Sequence, residues 1–558
     1  MRPLIILVIA SLIFSHITLG QQTRGRTWAS PPIDSLLVLS GNFGEPRNNH
    51  FHSGIDIKTN GKVGWPIYSA DQGNVSRIKV SSGGFGKVVY IDHPGNITSV
   101  YAHLHAFSGS IAELVRSKQI KNGSFEVEIF PEPGTLKVTK GEKIGLTGNS
   151  GSTRGPHLHY EYRATDTQKP FDPGLMGIQP PDTISPKFGK IFLYRPGEFN
   201  GIFGSERIEL DAKELNNGDT INMNFDAAFV GFTFEEKANG AENLLGLRSY
   251  ELLLNDEQQF NFLVDSFSYS ETRFVNSLID YSYYRSNKQF AFICYRLPGN
   301  ELPHITSGNP VITFEKDSIA KISIRITDRS NNRNHLNLYI RKTNQKHHTT
   351  ICLDDGGVKV KHGNKFRYSK KHLSIKFKPF TFYDDVRIRI EQDEDETGSK
   401  KFSIGNSSIA VHKKYELKIC KEEFEEKVAI ASVTNSDTIW LNTTYKKPWL
   451  ITNTRELGAF IIVSDNTAPI EPSKYVVGID SVLNKKTLSF NVSDNMSGIN
   501  KVTATINDRN HIVEYNSNRK ESVLYLNEEE LNQENILNIN IEDRAGNIGN
   551  YTHIFKIN

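Results

Sequence analysis

The chain has 558 residues and carries 66 Lys+Arg against 63 Asp+Glu, which gives a formal net charge of +3. At roughly 100–200 residues per domain, this length predicts three or four domains. The near balance of charge argues against a strongly basic nucleic-acid-binding protein. The content of 42 Gly and 22 Pro excludes collagen-like and low-complexity classes. Three cysteines cannot all pair within one chain, which excludes a disulfide-stapled scaffold.

The first twenty residues have the pattern of a secretory signal. Arg2 is followed by an apolar run at 4–14 and by small residues at Thr18 and Gly20. The run is shorter than the roughly 20 residues that span a bilayer, so we predict cleavage near Gln21 rather than a retained anchor. No later stretch of sequence is long and apolar enough for a membrane span. We therefore expect an exported protein, periplasmic or secreted to the cell envelope.

Strand-like segments occur along the whole chain and predict an all-β protein. Residues 87–91, 323–326 and 386–390 show period-two alternation or clusters of β-branched residues, with Gly, Asn and Asp between such segments. Helical patterns are few, and short helices are predicted only at 110–118 and 527–533. The class expected is an N-terminal β domain followed by two or three β-sandwich, immunoglobulin-like modules.

Two pairs of short motifs indicate domain boundaries. A D-x-x-x-P pattern at 182–186 and 465–469 precedes strand-rich segments, and a D-R-x-x-N pattern at 328–332 and 543–547 follows a strand. Asp and Asn suit tight turns because their side chains bond to local backbone and tolerate left-handed geometry. The predicted units are a signal peptide at 1–20, a first domain at 21–178, a β-sandwich module at 179–342, a β-rich middle domain at 343–464, and an immunoglobulin-like module at 465–558.

Cysteine chemistry is not expected in this protein. Cys294, Cys352 and Cys420 lie far apart in β-rich sequence, and none has a histidine at a suggestive spacing. We interpret them as buried single thiols, with one disulfide as the alternative in an oxidising compartment.

Histidines are concentrated in residues 50–159, which hold seven of the 17 in the chain. His52 and Asp56 would lie about 13 Å apart in an extended strand, so they converge only if the chain turns, which Gly54 permits. His157 and His159 read as alternate residues of one strand, about 6.6 Å apart and on the same face.

Two imidazole nitrogens and one carboxylate oxygen make a three-ligand zinc set, with the fourth tetrahedral position open for water. That is the arrangement of a catalytic rather than a structural zinc. Further histidines beside it would suit proton transfer, because their ordinary pKa lies near 6.5. The alternative is that H-x-H on a strand is structural and that H-x-x-x-D arises by chance. Spacing alone leaves both interpretations open.

Seven segments in a fixed order carry a resemblance to a known family. They are G-N-F-G-E-P-R (41–47), H-S-G-I-D-I (52–57), G-W-P-I-Y-S-A-D-Q-G (64–73), G-G-F-G-K-V-V-Y-I-D-H (83–93), Y-A-H-L (101–104), V-T-K-G-E-K-I-G-L-T-G-N-S-G (138–151) and G-P-H-L-H-Y-E-Y-R (155–163). Together they resemble the M23 peptidases, the lysostaphin-like or LytM-type zinc endopeptidases with the duplicated-hybrid-motif fold.

The resemblance implies one Zn²⁺ per chain, held by His52, Asp56 and His159. His103 and His157 match the two catalytic histidines that do not bind the metal, one activating water and the other stabilising the oxyanion. The resemblance does not say which does which.

Three other histidines of this region receive no catalytic role. We expect His50 and His105 to lie beside the ligands or in solvent, and His93, which matches the end of a family strand, to be structural.

The resemblance also implies the function. We expect an exported zinc metallo-endopeptidase that hydrolyses peptide bonds in peptidoglycan, at stem-peptide cross-links or bridges. The alternatives are a catalytically silent cell-wall-binding or scaffold protein with the same fold, and adhesion by the C-terminal modules with the peptidase as an accessory. Peptidoglycan peptides are the expected partners, without nucleic acid and without a transmembrane segment after signal cleavage.

One segment departs from the family pattern. Residues 108–137 stand where the family has a short connection, and we predict a helix and a hairpin at the rim of the groove. This insertion would shape specificity or cover the site.

Overall fold

The computed structural model describes residues 30–557, apart from 198–205, 307, 309, 316–317, 345–349, 352–356, 395–399, 424 and 435–436. The predicted signal peptide at 1–20 and Cys352 lie outside the described residues. Strands predominate in every described region, so the prediction of an all-β protein is confirmed. Within the described ranges, none of the helices has the length and apolar character needed to cross a membrane.

The N-terminal domain is built on an antiparallel sheet whose strands do not follow chain order. From one edge to the other they are Leu39–Gly41, Ile55–Lys58, His157–Ala164, Ile97–Ala102, Lys87–His93, Gly73–Val80 and Val127–Ile129, with Lys137–Val138 beside Gly73–Val80 and Pro170–Phe171 beside His157–Ala164. A small sheet is formed by Pro66–Tyr68, Lys143–Leu146 and Ala106–Phe107, and a hairpin by Pro46–Arg47 and His50–Phe51. A 3-10 turn, Pro173–Met176, ends the domain.

The central strands of this sheet are buried on both faces. Side chains alternate along a strand, so Ile57, Leu158 and Tyr160 enter the apolar core. His159 and Glu161 point to the opposite face, and they are buried as well. Because buried polar groups require partners, this second face has to be organised around specific contacts.

Gly54 permits two strands to approach closely. A Cβ atom at this position would lie 2.3 Å from the carbonyl oxygen of Tyr160 and 2.8 Å from Cγ of Glu161. A glycine is therefore required here for space, and the chain also bends at this residue, as the sequence had suggested.

The insertion at 108–137 contains the predicted helix but not the predicted hairpin. The helix is Gly109–Asn122, and it ends at Gly123 in a left-handed conformation. Val127–Ile129 and Lys137–Val138 pair with Gly73–Val80 and not with each other, so the hairpin prediction is wrong. The reason is burial: as added strands of the main sheet, these segments place Val127 and Val138 in the domain core.

The next unit is a two-sheet β structure with one continuous aromatic core. One sheet has the order Phe292–Ile293, Ala227–Glu235, Lys187–Tyr194, Glu206–Asp211 and Thr350–Ile351, with Ile312–Thr313 beside Ala227–Glu235. The other has the order Asp219–Met223, Arg333–Lys342, Ile319–Thr327, Ser249–Leu254 and Glu257–Leu263. The helical segments are Ala212–Glu214, Thr272–Ser277 and Tyr281–Asn287. We call this unit the first β module.

Phe43 and Phe51 of the N-terminal domain belong to the core of the first β module. Phe43 stacks on Phe267 with 5.2 Å between ring centroids, and Phe51 lies 6.4 Å from Phe262. The two units therefore share one hydrophobic core.

The middle region is again a pair of sheets around its own core. The first sheet has the order Phe366–Lys370, Leu373–Phe377, Tyr415–Cys420, Trp449–Thr454 and Thr443–Lys446. The second has the order Ile390–Glu394, Lys400–Ile404, Gly458–Ser464, Val428–Val433 and Thr438–Trp440. A separate pair of strands is formed by Val358–Val360 and Val386–Ile388.

The C-terminal module has sheets of four strands each and a separate core. One sheet has the order Tyr475–Asp480, Lys485–Asn491, Glu521–Tyr525 and Glu514–Asn516. The other has the order Arg509–His511, Ile499–Ile506, Glu534–Asp543 and Ile548–Lys556. The helix predicted at 527–533 is wrong, because only a 3-10 turn, Glu528–Glu530, fits before the next strand begins at Glu534.

The two cysteines in the described part of the chain are free thiols. Cys294 is fully buried, and burial raises the pKa of its thiol. Cys420 is half-buried at the end of a strand.

Candidate metal and catalytic site

The five site residues predicted from the sequence converge at one end of the central strands. Strand pairing accounts for part of this, because His159 lies opposite both Asp56 and Ala102 in the sheet. His103 directly follows Ala102, and His52 follows the hairpin that ends at Phe51.

The three predicted metal ligands form a compact buried group. His52 Nε2 lies 3.1 Å from Asp56 Oδ1 and 3.0 Å from His159 Nδ1, and His159 Nδ1 lies 2.9 Å from Asp56 Oδ1. Tetrahedral zinc with bonds of about 2.0–2.2 Å would hold such atoms ~3.3 Å apart. The donor atoms therefore fit one zinc ion with little movement.

Hydrogen bonds on the outer side of each ring fix which nitrogen faces the group. The Nδ1 of His52 donates to the carbonyl oxygen of Asn42 at 2.8 Å, and the Nε2 of His159 donates to Glu161 Oε1 at 2.8 Å. The nitrogens that can bind a metal are therefore Nε2 of His52 and, once its proton is displaced, Nδ1 of His159. Together with Asp56 Oδ1 they form a set of three donor atoms for one cation.

His103 and His157 stand beside the three ligands with their outer nitrogens also occupied. His103 Nδ1 bonds to the carbonyl oxygen of Ser150 at 2.9 Å, and His157 Nδ1 bonds to that of Gly155 at 2.8 Å. Their rings lie 4.9 Å apart between centroids. The Nε2 of His157 lies 3.4 Å from Asp56 Oδ1. With Nδ1 donating, Nε2 is the acceptor nitrogen of each ring in its neutral form.

The backbone of His103 is in the left-handed region, with φ of 62°. Such a conformation is uncommon for a residue other than glycine and costs about 1–3 kcal/mol. The surrounding contacts therefore hold this imidazole in a position that the backbone alone disfavours.

Burial and neighbouring charge shift the pKa values of the site in opposite directions. Burial lowers the pKa of His52 to about 4, and burial together with the nearby imidazoles lowers that of His103 to about 3. Burial acts against charge on His159 too, but the carboxylates of Asp56 and Glu161 raise its pKa to about 9. Surroundings that favour a positive charge at His159 equally favour a metal cation, whose binding displaces the proton.

Comparison with known proteins decides the family of this domain. The model of peptidase family M23 matches residues 50–124, which include His52, Asp56 and His103. The N-terminal domain belongs to peptidase family M23. The resemblance predicted from the sequence is confirmed. A second model, that of the Zu5-like domain, matches residues 357–465.

Several individual proteins are similar to the M23 domain. An uncharacterized metalloprotease of Haemophilus influenzae is 29% identical over 147 residues, covering 25% of this chain and 26% of that protein. The peptidoglycan DD-endopeptidase ShyA of Vibrio cholerae is 31% identical over 143 residues, covering 24% and 27%. The chain therefore spans about a quarter of the length of these relatives. A solved zinc-containing peptidase of Vibrio cholerae is 24% identical, with a TM-score of 0.21, over 28% of this chain and 41% of that one.

Glu161, which orients His159, has several further hydrogen-bond partners. It is fully buried and accepts bonds from Arg163 Nε at 2.6 Å, from the hydroxyl of Ser53 and from that of Tyr269 at 3.1 Å. Although burial acts in the opposite direction, Arg163 and His159 hold the pKa of Glu161 below its usual range. It is thus a carboxylate that accepts the outer N–H of His159 and fixes the ring.

Asp56 also has a partner on its outer side. Arg47 pairs with its second oxygen through Nη2 and with Glu45 at 3.5 Å. This leaves Oδ1 directed at the two histidines.

The first β module contributes directly to the surroundings of the candidate metal site. Tyr269, which bonds Glu161, belongs to this module, and so does Gly246, whose backbone forms two hydrogen bonds with the side chain of Asn42, of 2.7 and 2.9 Å. The carbonyl of Asn42 in turn fixes His52. Both predicted histidine ligands are therefore oriented through contacts with a neighbouring module.

Sequence reasoning did not single out these supporting residues. For Glu161 and Arg163 a signal was present, because H-x-H-x-E-x-R at 157–163 places every second residue on the polar face. For Tyr269 there was none, because it reaches the site from 108 residues along the chain.

The other histidines of the region have different surroundings. His50 is exposed, and His93 bonds Ser99 at 2.6 Å. His105 pairs with Asp480 of the C-terminal module at 2.8 Å, so its expected place beside the ligands or in solvent is wrong.

Replacing Tyr269 by phenylalanine tests the support from the first β module. We expect a loss of zinc affinity of about threefold to tenfold, because removal of contacts behind a metal ligand typically costs 10–100-fold and Tyr269 acts one residue further away. The measurement is a competition titration with a chelator. Tyr284→Phe, whose ring stacks on Phe290 away from the site, is the matched control. Equal zinc affinity in both variants would contradict the prediction.

Proposed function

We propose that this protein is an exported zinc metallo-endopeptidase that hydrolyses peptide bonds in peptidoglycan, at stem-peptide cross-links or bridges. The observation that carries the proposal is the group of His52, Asp56 and His159. Its three inward atoms lie close enough to bind one cation, and the outer atoms of all three side chains are held by other partners. The relative named as a peptidoglycan DD-endopeptidase supports the substrate class.

The residues fit one zinc ion per chain, held by His52, Asp56 and His159. Zinc bound there supplies a Lewis acid and lowers the pKa of water to about 7. His103 and His157 are positioned to handle protons, because the Nδ1 of each donates to a backbone carbonyl and leaves Nε2 free to accept. One of them takes the proton of the attacking water, and the other, when protonated, donates to the oxyanion that develops on the scissile carbonyl.

Release of new amino termini from purified peptidoglycan tests the proposal. The zinc-loaded protein is expected to release them, with a loss of activity when zinc is removed and a return when one equivalent is restored. A protein that binds zinc but releases no amino termini from any peptidoglycan type would instead be the cell-wall-binding or scaffold protein of the alternative.

The units proposed from the sequence are a signal peptide at 1–20, the M23 domain at 21–178, and β modules at 179–342, 343–464 and 465–558. The separate apolar cores of the middle and C-terminal regions support the last two of these units. Export to the periplasm or beyond is supported by the expected substrate.

The C-terminal module contacts the loop that supports the catalytic histidines. The amide of Asn518 donates to the carbonyl of Thr153 at 3.1 Å, and Nη1 of Arg519 donates to that of Asn149 at 2.6 Å. This loop also supplies the carbonyl of Ser150 that holds His103. We infer that the module stabilises one wall of the substrate groove.

Arg519→Ala is expected to lower kcat/KM for peptidoglycan roughly tenfold while zinc affinity stays unchanged, because small displacements of catalytic groups have effects of this size. Steady-state hydrolysis and a zinc titration measure the two quantities. Lys501→Ala, on an exposed position of the same module, is the control. Faster hydrolysis by Arg519→Ala would contradict the prediction and would mean that the module covers the groove.

A further inference from the structure

A second group of carboxylates lies where the M23 domain joins the first β module. Asp182 belongs to the connecting segment, Glu236 follows the strand Ala227–Glu235, and Asp328 follows the strand Ile319–Thr327. One oxygen of each lies within 4.8 Å of the others. Three carboxylates at this spacing repel one another unless a positive charge joins them.

Glu236 shows that this is more than a turn-forming acidic cluster. Its side chain is 2% exposed, and Oε2 has no hydrogen-bond partner among the described residues. Burial and the carboxylates of Asp328 and Asp182 raise its pKa to about 9. A carboxyl group in such surroundings is either protonated, in which case its O–H needs a hydrogen-bond acceptor, or ionised beside a cation. The unpartnered Oε2 favours the cation.

The remaining members of the cluster are held rigidly. Asp328 Oδ1 accepts from the backbone N–H groups of Ser330 and Asn332, and its Oδ2 accepts from the side-chain amide of Asn332, all at 2.8 Å. The same amide donates to the carbonyl of Asp182 at 3.2 Å. The D-R-x-x-N turn therefore fixes both the carboxylate of Asp328 and the connecting segment that carries Asp182.

A second group of three carboxylates with the same pair of motifs lies at the start of the C-terminal module. Asp465, Asp494 and Asp543 bring one oxygen each within 4.8 Å of the others. Asn547 bonds both oxygens of Asp543, at 2.8 and 2.7 Å, and the carbonyl of Asp465 at 2.9 Å. Here too a buried oxygen, Oδ1 of Asp494, has no partner in the described part of the chain. Two units of different sequence thus place a third acid against the same pair of motifs.

We propose that Asp182, Glu236 and Asp328 bind Ca²⁺, and that Asp465, Asp494 and Asp543 form a second Ca²⁺ site. Ligand sets made only of oxygen suit hard cations, whereas zinc in proteins prefers imidazole and thiolate. Calcium binds oxygens at about 2.3–2.6 Å in irregular geometry, so two ligands on opposite sides lie up to ~5 Å apart. The observed spacing lies within that limit.

The first calcium site ties the connecting segment to the module that orients the zinc ligands. Arg329, next to Asp328 in the same turn, pairs with Asp172 of the M23 domain at 2.9 Å and lies over the ring of Phe43. Phe43 adjoins Asn42, whose carbonyl holds His52. Calcium bound at this turn stabilises the contact between the two units.

Calcium titration of the full-length, zinc-loaded protein, with calcium first removed, tests the proposal. Calorimetry is expected to give two Ca²⁺ per chain, and millimolar CaCl₂ to raise Tm by about 2–6 °C. Glu236→Gln and the half-exposed Asp182→Asn should each lose one ion, and Asp494→Asn the other. Glu235→Gln, which removes the same charge from the exposed neighbouring residue, should keep both.

Two results would overturn the proposal. Wild-type protein that binds no calcium, together with a higher Tm in Glu236→Gln, would show that Glu236 is a neutral carboxyl group. Calcium binding that persists unchanged in Glu236→Gln and Asp182→Asn would place the ion elsewhere.

Discussion

Replacing His52 by alanine is expected to abolish stoichiometric zinc binding and, with it, hydrolysis of peptidoglycan. The side chain supplies one of three donor atoms that lie within 3.1 Å of one another, and two donors are left in its absence. Loss of a direct ligand should exceed the 10–100-fold cost of changing a residue behind a ligand, so we expect a decrease in zinc affinity on the order of 10³-fold or more. Metal analysis after gel filtration measures the result.

His50→Ala is the matched control for this variant, because it removes an exposed imidazole two residues away, in the hairpin that precedes His52. It should retain one zinc per chain and full activity. Retention of stoichiometric zinc by His52→Ala would contradict the assigned ligand set.

Replacing His157 by alanine is expected to separate metal binding from catalysis. Its Nε2 lies 3.4 Å from Asp56 Oδ1, further than the nitrogens of the proposed ligands His52 and His159, and its Nδ1 bonds to the carbonyl of Gly155. Loss of a general acid or base typically slows a reaction 10²–10⁴-fold, and we expect a decrease of about that size in kcat.

Zinc content is the internal control for His157→Ala and should equal that of the wild type. His103→Ala should behave in the same way, because its Nδ1 is likewise occupied by a backbone carbonyl. Hydrolysis at the wild-type rate by His157→Ala would rule out a role in proton transfer. Loss of zinc would make His157 a ligand.

The polar face of the M23 domain was largely predictable from local sequence. Alternation along 157–163 places His157, His159 and Glu161 on one side of a strand whatever the rest of the fold does. The convergence of His52 with Asp56 was less accessible, because it depends on where the hairpin ends and on the space that Gly54 leaves beside Tyr160.

Contacts between units could not be predicted from sequence spacing. Phe43 and Phe51 look like core residues of their own domain but complete the core of the first β module. Tyr269 and Gly246 reach the site only because that shared core fixes the two units together. The two strands of the insertion, Val127–Ile129 and Lys137–Val138, do not form the predicted hairpin for a related reason. Burial beside the distant strand Gly73–Val80 outweighs pairing between segments that are neighbours in sequence.

The D-x-x-x-P and D-R-x-x-N motifs were interpreted as turns at domain boundaries. The structure adds that they meet each other in space and that each pair encloses a third acid, Glu236 or Asp494, that no motif contains. The turns can be predicted because their hydrogen bonds join residues close in sequence. The position of the third carboxylate cannot, because it depends on how the strands of each module are arranged.

Mass spectrometry of muropeptides after digestion tests the central claim most directly, because it detects hydrolysis and identifies the bond at once. Zinc-loaded wild-type protein is expected to convert cross-linked muropeptides into products with a new amino terminus at one type of peptide bond. The same digestion with His157→Ala should leave them intact. A wild-type protein that contains one zinc per chain and yields the same muropeptides as undigested peptidoglycan, from every peptidoglycan type tried, would contradict the account.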